Sequence, residues 1–252
     1  MARIIVFDSG FGSLSIIKPI QQAVKSDIIY FADQKNFPYG QKSIPELTKI
    51  ITKRLELFEE KFKPDLIVVG SNTPSLLVQI KKKNVIKVLP PIKMASKISV
   101  TGNIAILATH ATIKSKKLSE FIKKNKLARR INIKKINASK LVQLVESVKF
   151  IDDKNLCKRT INKVLGQEFS KYNIDVVTLS STHLPFLLSF FNKQFPNVNF
   201  LDPGQEIADK VRKTVKKPSK RNSMKIFTSS KPEKFQKDLS KIGIKQKVTF
   251  LN

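Results

Sequence analysis

The sequence predicts an α/β protein of two similar parallel-sheet lobes, with a ligand site between them. Two observations carry this. Short β-branched runs alternate with amphipathic segments along nearly the whole chain, the pattern of parallel sheets covered by helices. One strand-and-loop segment also occurs twice, 110 residues apart. The first copy is Asp65-Leu66-Ile67-Val68-Val69-Gly70-Ser71-Asn72-Thr73, and the second is Asp175-Val176-Val177-Thr178-Leu179-Ser180-Ser181-Thr182-His183. Each is an acidic residue, an apolar run, then small polar residues opening a helix.

The elements follow in order. Strands are expected at Arg3–Phe7, Ile28–Phe31, Leu66–Val69, Lys87–Leu89, Ile104–Leu107, Ile131–Ile136, Val176–Leu179, Val198–Leu201, Lys225–Phe227 and Val248–Leu251. Helices are expected over Ser43–Phe62, Thr112–Lys124 and Lys154–Lys171. In the first, Leu47, Ile50, Ile51, Leu55 and Phe58 recur at helical spacing. Pro90-Pro91 reads as a stiff crossing between lobes, and Asp202-Pro203-Gly204 as the return, followed by a helix over Gln205–Lys217. The lobes are placed at residues 1–93 with 210–252, and 94–209.

Composition bounds the function. The chain has 252 residues, enough for one large domain or two smaller ones, and 41% are hydrophobic, enough for a buried core. No apolar stretch has the length of a membrane span. The opening run is too short for a signal peptide, so a cytoplasmic protein is expected. The one cysteine, Cys157, allows no internal disulfide and no multi-cysteine metal site; it reads as a packing residue. The net charge is +29, with 41 lysines against seven arginines. Lysines spread along the chain suit a solvated surface and nonspecific attraction to nucleic acid better than specific readout, for which arginine is the better residue. No metal is expected, since two histidines without metal-ligand spacing make no site.

In parallel sheets, ligands bind at the carboxyl ends of strands. The polar motifs fall there: Asp8-Ser9-Gly10-Phe11-Gly12, Asp33 through Gly40, Ser71-Asn72-Thr73, Thr109 through Thr112, and Ser181-Thr182-His183. Glycines in the first allow a sharp turn and a close approach of backbone N–H groups, although an ordinary turn with Asp8 accepting those N–H groups reads equally well. Pro38-Tyr39-Gly40 reads either as an ordinary turn or as a phenol set against a ligand carboxylate. Both histidines, His110 and His183, lie in these loops and are candidates for proton transfer.

Taken together, these motifs resemble the cofactor-independent glutamate racemases of the aspartate/glutamate racemase superfamily, nearly end to end. Ile5-Val6-Phe7-Asp8-Ser9-Gly10-Phe11-Gly12 is similar to the family's opening strand and loop, and Tyr30-Phe31-Ala32-Asp33 with Pro38-Tyr39-Gly40 to its second signature. Leu201-Asp202-Pro203-Gly204 and Phe227-Thr228-Ser229-Ser230 resemble its closing segments. The resemblance implies no cofactor and an acidic amino acid or dicarboxylate ligand. It implies a pocket lined by Asp8, Ser9, Pro38, Tyr39, Gly40, Asn72, Thr73, Thr112, Thr182 and His183. It leaves a homodimer open.

The departure lies in the chemistry. Ser71 and Ser181 stand where the family has the two cysteines that alternate as base and acid at Cα, and Ser13 stands where it has glycine. A thiol titrates near pH 8.5, whereas an alcohol is a far weaker acid. Three readings stay open. The chain binds an acidic amino acid without two-thiol racemisation. Or it is an active isomerase supplying D-glutamate for cell-wall peptidoglycan, its proton traffic running through Ser71, Ser181, His183 and Asp8. Or it is a regulatory or nucleic-acid-binding protein with a basic surface.

Overall fold

The chain folds into two parallel sheets, which the computed structural model describes over residues 2–252. Ten strands form: β1 (Arg3–Asp8), β2 (Asp27–Ala32), β3 (Leu66–Val69), β4 (Val85–Lys87), β5 (Asn103–Ala108), β6 (Asn132–Asn137), β7 (Val176–Leu179), β8 (Asn199–Leu201), β9 (Ser223–Thr228) and β10 (Val248–Phe250). The first sheet runs β10-β9-β2-β1-β3-β4 and the second β6-β5-β7-β8, and every pairing is parallel. One compact unit extends to Val88 and resumes over Gly204–Asn252; the other is Leu89–Pro203.

The order 2-1-3-4 in the first sheet recurs as 6-5-7-8 in the second. β1 therefore corresponds to β5 and β3 to β7, so the repeat visible in the sequence is a repeat of topology. In each sheet the chain first steps to one side of its opening strand, then crosses to the other. That reversal opens a crevice at the carboxyl ends of β1 and β3, and another at those of β5 and β7.

Burial explains which strands are central. Ile4, Ile5, Val6 and Phe7 of β1 have no exposed surface, nor do Ile104 to Ala108 of β5. Continuous apolar runs of this kind mark strands covered on both faces. The outer strand β6 carries Lys134 and Lys135, charges suited to a sheet edge.

In the first unit the helix Ile44–Phe62 begins at Ser43, whose side chain accepts from the Glu46 N–H, and ends where Lys63 turns left-handed. It buries Leu47, Ile51, Leu55 and Phe58, and the Phe58 ring lies 5.2 Å from both Phe7 and Phe31. In the second unit, Asp153 caps the helix Lys154–Tyr172, which buries Cys157, Ile161, Leu165 and Phe169.

Several boundaries differ from those expected, most by one residue. The strand placed at Lys87–Leu89 is Val85–Lys87, because the chain leaves the sheet ahead of Pro90-Pro91. The helix expected over Thr112–Lys124 is two, His110–Lys114 and Lys116–Lys124. Ser115 breaks it by donating to the Thr112 carbonyl and capping the Leu118 N–H. The helix expected over Gln205–Lys217 runs Gly204–Thr214. Among the described residues, no helix is long and apolar enough to cross a membrane.

Candidate functional site

Each unit gathers small polar side chains at the crevice of its own sheet. In the first, Asp8 ends β1 and its Oδ1 accepts the Ser9 N–H at 2.7 Å. Gly70 follows β3, its N–H donating to the Phe7 carbonyl at 2.8 Å. Ser71 then turns the chain into the helix Asn72–Leu77.

Gly70 has a local reason. A Cβ built there would lie 2.3 Å from Ser13 Cβ and 2.6 Å from Ser13 Oγ. The serine side chain at position 13 thus occupies the space a residue larger than glycine would need at 70. Ser13 in turn donates to the Tyr30 phenol at 3.2 Å, which donates to the Gly10 carbonyl at 2.8 Å.

Asn72 is the informative residue of this cluster. It is 3% exposed, yet neither its amide nitrogen nor its amide oxygen has a hydrogen-bond partner among the described residues. Buried amides are ordinarily satisfied, so an orphaned pair beside Asp8, Ser9 and Thr73 points to a polar ligand. Tyr39 is differently engaged. Its buried phenol donates to Asp33 Oδ2 at 3.0 Å. Its pKa is driven well above the usual phenol value, first by burial, then by the Asp33 and Asp8 carboxylates, with Arg54 opposing. Pro38, joined to Phe37 by a cis peptide bond, and Gly40 are half-buried in the same loop.

In the second unit, Thr109 and Thr112 share a hydroxyl–hydroxyl hydrogen bond of 3.0 Å after β5. Ser181, Thr182 and His183 follow β7, all buried. They form a turn and not the helix expected. The Leu184 N–H bonds the Ser181 carbonyl and the Phe186 N–H that of His183, a tighter three-residue spacing, while Pro185 has no N–H for a wider one. His183 is 3% exposed and its Nε2 lies 2.9 Å from Glu146 Oε2. His110 is exposed and lies beside Asn137 and Ser139.

The hydroxyls of Ser71 and Ser181 make no hydrogen bond among the described residues. Among the described residues no hydrogen bond joins Ser181 Oγ to His183, so these neighbours in sequence are not set as nucleophile and base. Cys157 is fully buried in its helix, and burial pushes its thiol up to about 11. Among the described residues, no group of three or more His, Cys, Asp or Glu side chains could hold a metal ion.

The fold therefore brings Asp8, Ser9, Ser71, Asn72 and Thr73 to one crevice, and Thr112, Ser181, Thr182 and His183 to the other. The Pro38-Tyr39-Gly40 loop is tied through Asp33 to the end of β1. Sequence reasoning missed Glu146. Its signal was an acid closing the apolar run Leu141-Val142-Gln143-Leu144-Val145, where only a buried partner explains a carboxylate at 13% side-chain exposure.

No protein-family model matches the chain. It is 33% identical to a glutamate racemase of Actinobacillus pleuropneumoniae serotype 5b over 215 residues, 82% of this chain and 80% of that protein. A glutamate racemase of Bacillus anthracis (isoform RacE1) superposes with a TM-score of 0.86 at 22% identity, covering 100% of this chain and 97% of that one. The Escherichia coli glutamate racemase, solved with L-glutamate and the activator UDP-MurNAc-Ala, superposes with a TM-score of 0.82 at 24% identity, covering 99% and 98%. These structural likenesses concern the fold.

Proposed function

This chain belongs to the glutamate racemase family, and from that premise we propose that it binds a free acidic amino acid and does not racemise it by a two-thiol mechanism. The binding half rests on Asn72. A buried amide with an unpaired donor and an unpaired acceptor suits a ligand bearing both carboxylate and ammonium groups. Ser9, Thr73, Thr112 and Thr182 supply further hydroxyls at the strand ends, and Pro38 and Gly40 supply backbone. The relatives act on glutamate, which makes glutamate the first ligand to try.

The chemical half rests on serine. Removing the Cα proton of an amino acid takes a base that is present in its ionised form. A cysteine of ordinary pKa is roughly 3% thiolate at pH 7 and can be tuned higher. An alcohol offers almost no alkoxide unless a strong base activates it, and among the described residues neither serine hydroxyl has a hydrogen-bonded base. Cys157, buried with a raised pKa, is no substitute.

One observation favours a second reading, a one-sided proton exchange at Cα without efficient inversion. His183 and Glu146 form a buried pair at 2.9 Å, and a carboxylate so placed orients an imidazole for proton transfer.

The test incubates the protein with L- and D-glutamate in D₂O and follows the Cα proton by NMR. The expected result is ligand-induced shifts at Asn72 and Thr73 with the Cα signal intact. Loss of that signal, abolished in Ser71→Ala or Ser181→Ala, would show that serine chemistry stands in for the thiols, and an absence of ligand-induced shifts would overturn the proposal. Loss that survives both but disappears in His183→Ala would establish the second reading.

A further inference from the structure

Asp33 is fully buried and takes four side-chain donors. Its Oδ1 accepts from Arg54 Nη2 at 2.9 Å and Ser229 Oγ at 2.8 Å; its Oδ2 accepts from Asn36 Nδ2 at 2.8 Å and Tyr39 Oη at 3.0 Å. The Asp33 N–H donates to the Asp8 carbonyl at 2.8 Å. One residue thus joins the ends of β1 and β2, the 34–41 loop, the helix Ile44–Phe62 and the turn after β9. Arg54 supplies the positive charge of this network. Its side chain is 13% exposed, and the guanidinium carbon lies 5.2 Å from the Phe31 ring centroid. Packing on an aromatic face and bonding a carboxylate at once is a role guanidinium fills and ammonium does not.

The arrangement addresses an electrostatic problem. Two buried carboxylates, Asp8 and Asp33, sit in linked segments of the region assigned to an anionic ligand. An uncompensated Asp33 would repel that ligand and loosen the loop that Tyr39 pins.

We infer that Arg54 is a positioning residue for acidic ligands: through Asp33 it holds the Pro38-Tyr39-Gly40 loop against the end of β1 and neutralises a carboxylate that would oppose ligand charge. The inference rests on the binding role proposed above.

The test compares Arg54→Met, Arg54→Lys and the double variant Arg54→Met/Asp33→Asn, which removes both buried charges should the single variant fail to fold. Two readouts are taken. The first is amide hydrogen exchange at Asn36, Gln41 and Lys42, whose N–H groups bond the Asp33, Pro38 and Tyr39 carbonyls. The second is glutamate affinity by chemical-shift titration. Folded variants lacking the guanidinium should exchange at least about tenfold faster at these three amides, with Ser180 of the other unit unchanged. Arg54→Met should bind glutamate about tenfold more weakly, Arg54→Lys should restore only part of either effect, and the double variant, with no carboxylate to oppose the ligand, should lose less affinity than Arg54→Met. Unchanged exchange at the three amides in a folded variant would overturn the inference, as would a uniform rise at every amide, which reports general destabilisation. Unchanged glutamate affinity would overturn it as well. Should the wild-type protein bind no glutamate, the proposed function fails, while the exchange readout still decides whether Arg54 orders the loop.

Discussion

At the scale of single residues, the pair Ser13 and Gly70 shows how one residue constrains another 57 positions away. An alanine methyl at 70 would fall 2.3 Å from Ser13 Cβ and 3.0 Å from the Phe7 carbonyl, inside contact distance for both. Gly70→Ala should therefore cost roughly 1–3 kcal/mol, the range for overpacking a dense core. Ser13→Gly in the same molecule clears the nearer clash and should recover part of that loss. Urea unfolding of the two single variants and the double variant measures it. A coupling below about 0.5 kcal/mol would mean that the two sites adjust independently. The motif residues and the serines at 71 and 181 were legible in the sequence. Residue 70's dependence on residue 13 was not, because side-chain proximity between elements distant in sequence leaves no periodic trace. The same reason hid Glu146 behind His183 and Arg54 behind Asp33.

At the scale of elements, the acidic residue that opens each repeated strand proves to be a fastening at the amino end, away from the strand-end polar residues. The Asp65 N–H bonds the Arg3 carbonyl, and the Asp175 N–H bonds that of Asn103, each tying a strand to the start of its neighbour. Asp65 Oδ2 also accepts the Arg3 N–H, whereas Asp175 accepts from Ser99 Oγ and from the Val100 and Thr101 N–H groups. For Asp175, burial raises the pKa, but the hydrogen bonds from Thr101, Ser99 and Val100 outweigh it and leave the group below its usual 3.8. A carboxylate depressed by folding contributes stability above its unfolded pKa and loses it as pH falls through the folded value. Asp175→Asn should thus destabilise by roughly 1–3 kcal/mol near neutral pH. The difference should shrink below about pH 4. Thermal unfolding of both proteins across pH 2–7 reads this, and a pH-independent difference would assign the effect to shape, not charge. Strand positions were legible because central strands are uniformly apolar. The break at Ser115 was not, since an apolar rhythm can run straight through a capping serine.

At the scale of the whole molecule, the duplicated strand order sets what the two serines can be asked to do. Two-base inversion needs a proton acceptor and a proton donor, and the chain offers one strand-end serine in each unit, at corresponding positions after β3 and β7. On the proposal that the chain binds glutamate but lacks the thiols to racemise it, Ser71→Cys with Ser181→Cys should create that activity. The exchange is nearly isosteric, sulfur for oxygen, at hydroxyls that make no hydrogen bond among the described residues, so little stability should be lost. Either single variant should leave inversion negligible, because one partner would still be an alcohol. Circular dichroism of L-glutamate converting to D-glutamate follows the reaction directly. Conversion in the double variant alone would place the whole functional difference in two oxygen atoms. No conversion, with glutamate still bound, would show that the rest of the site has also drifted, and would turn attention to Ser13 and Gly70 beside the first of those serines.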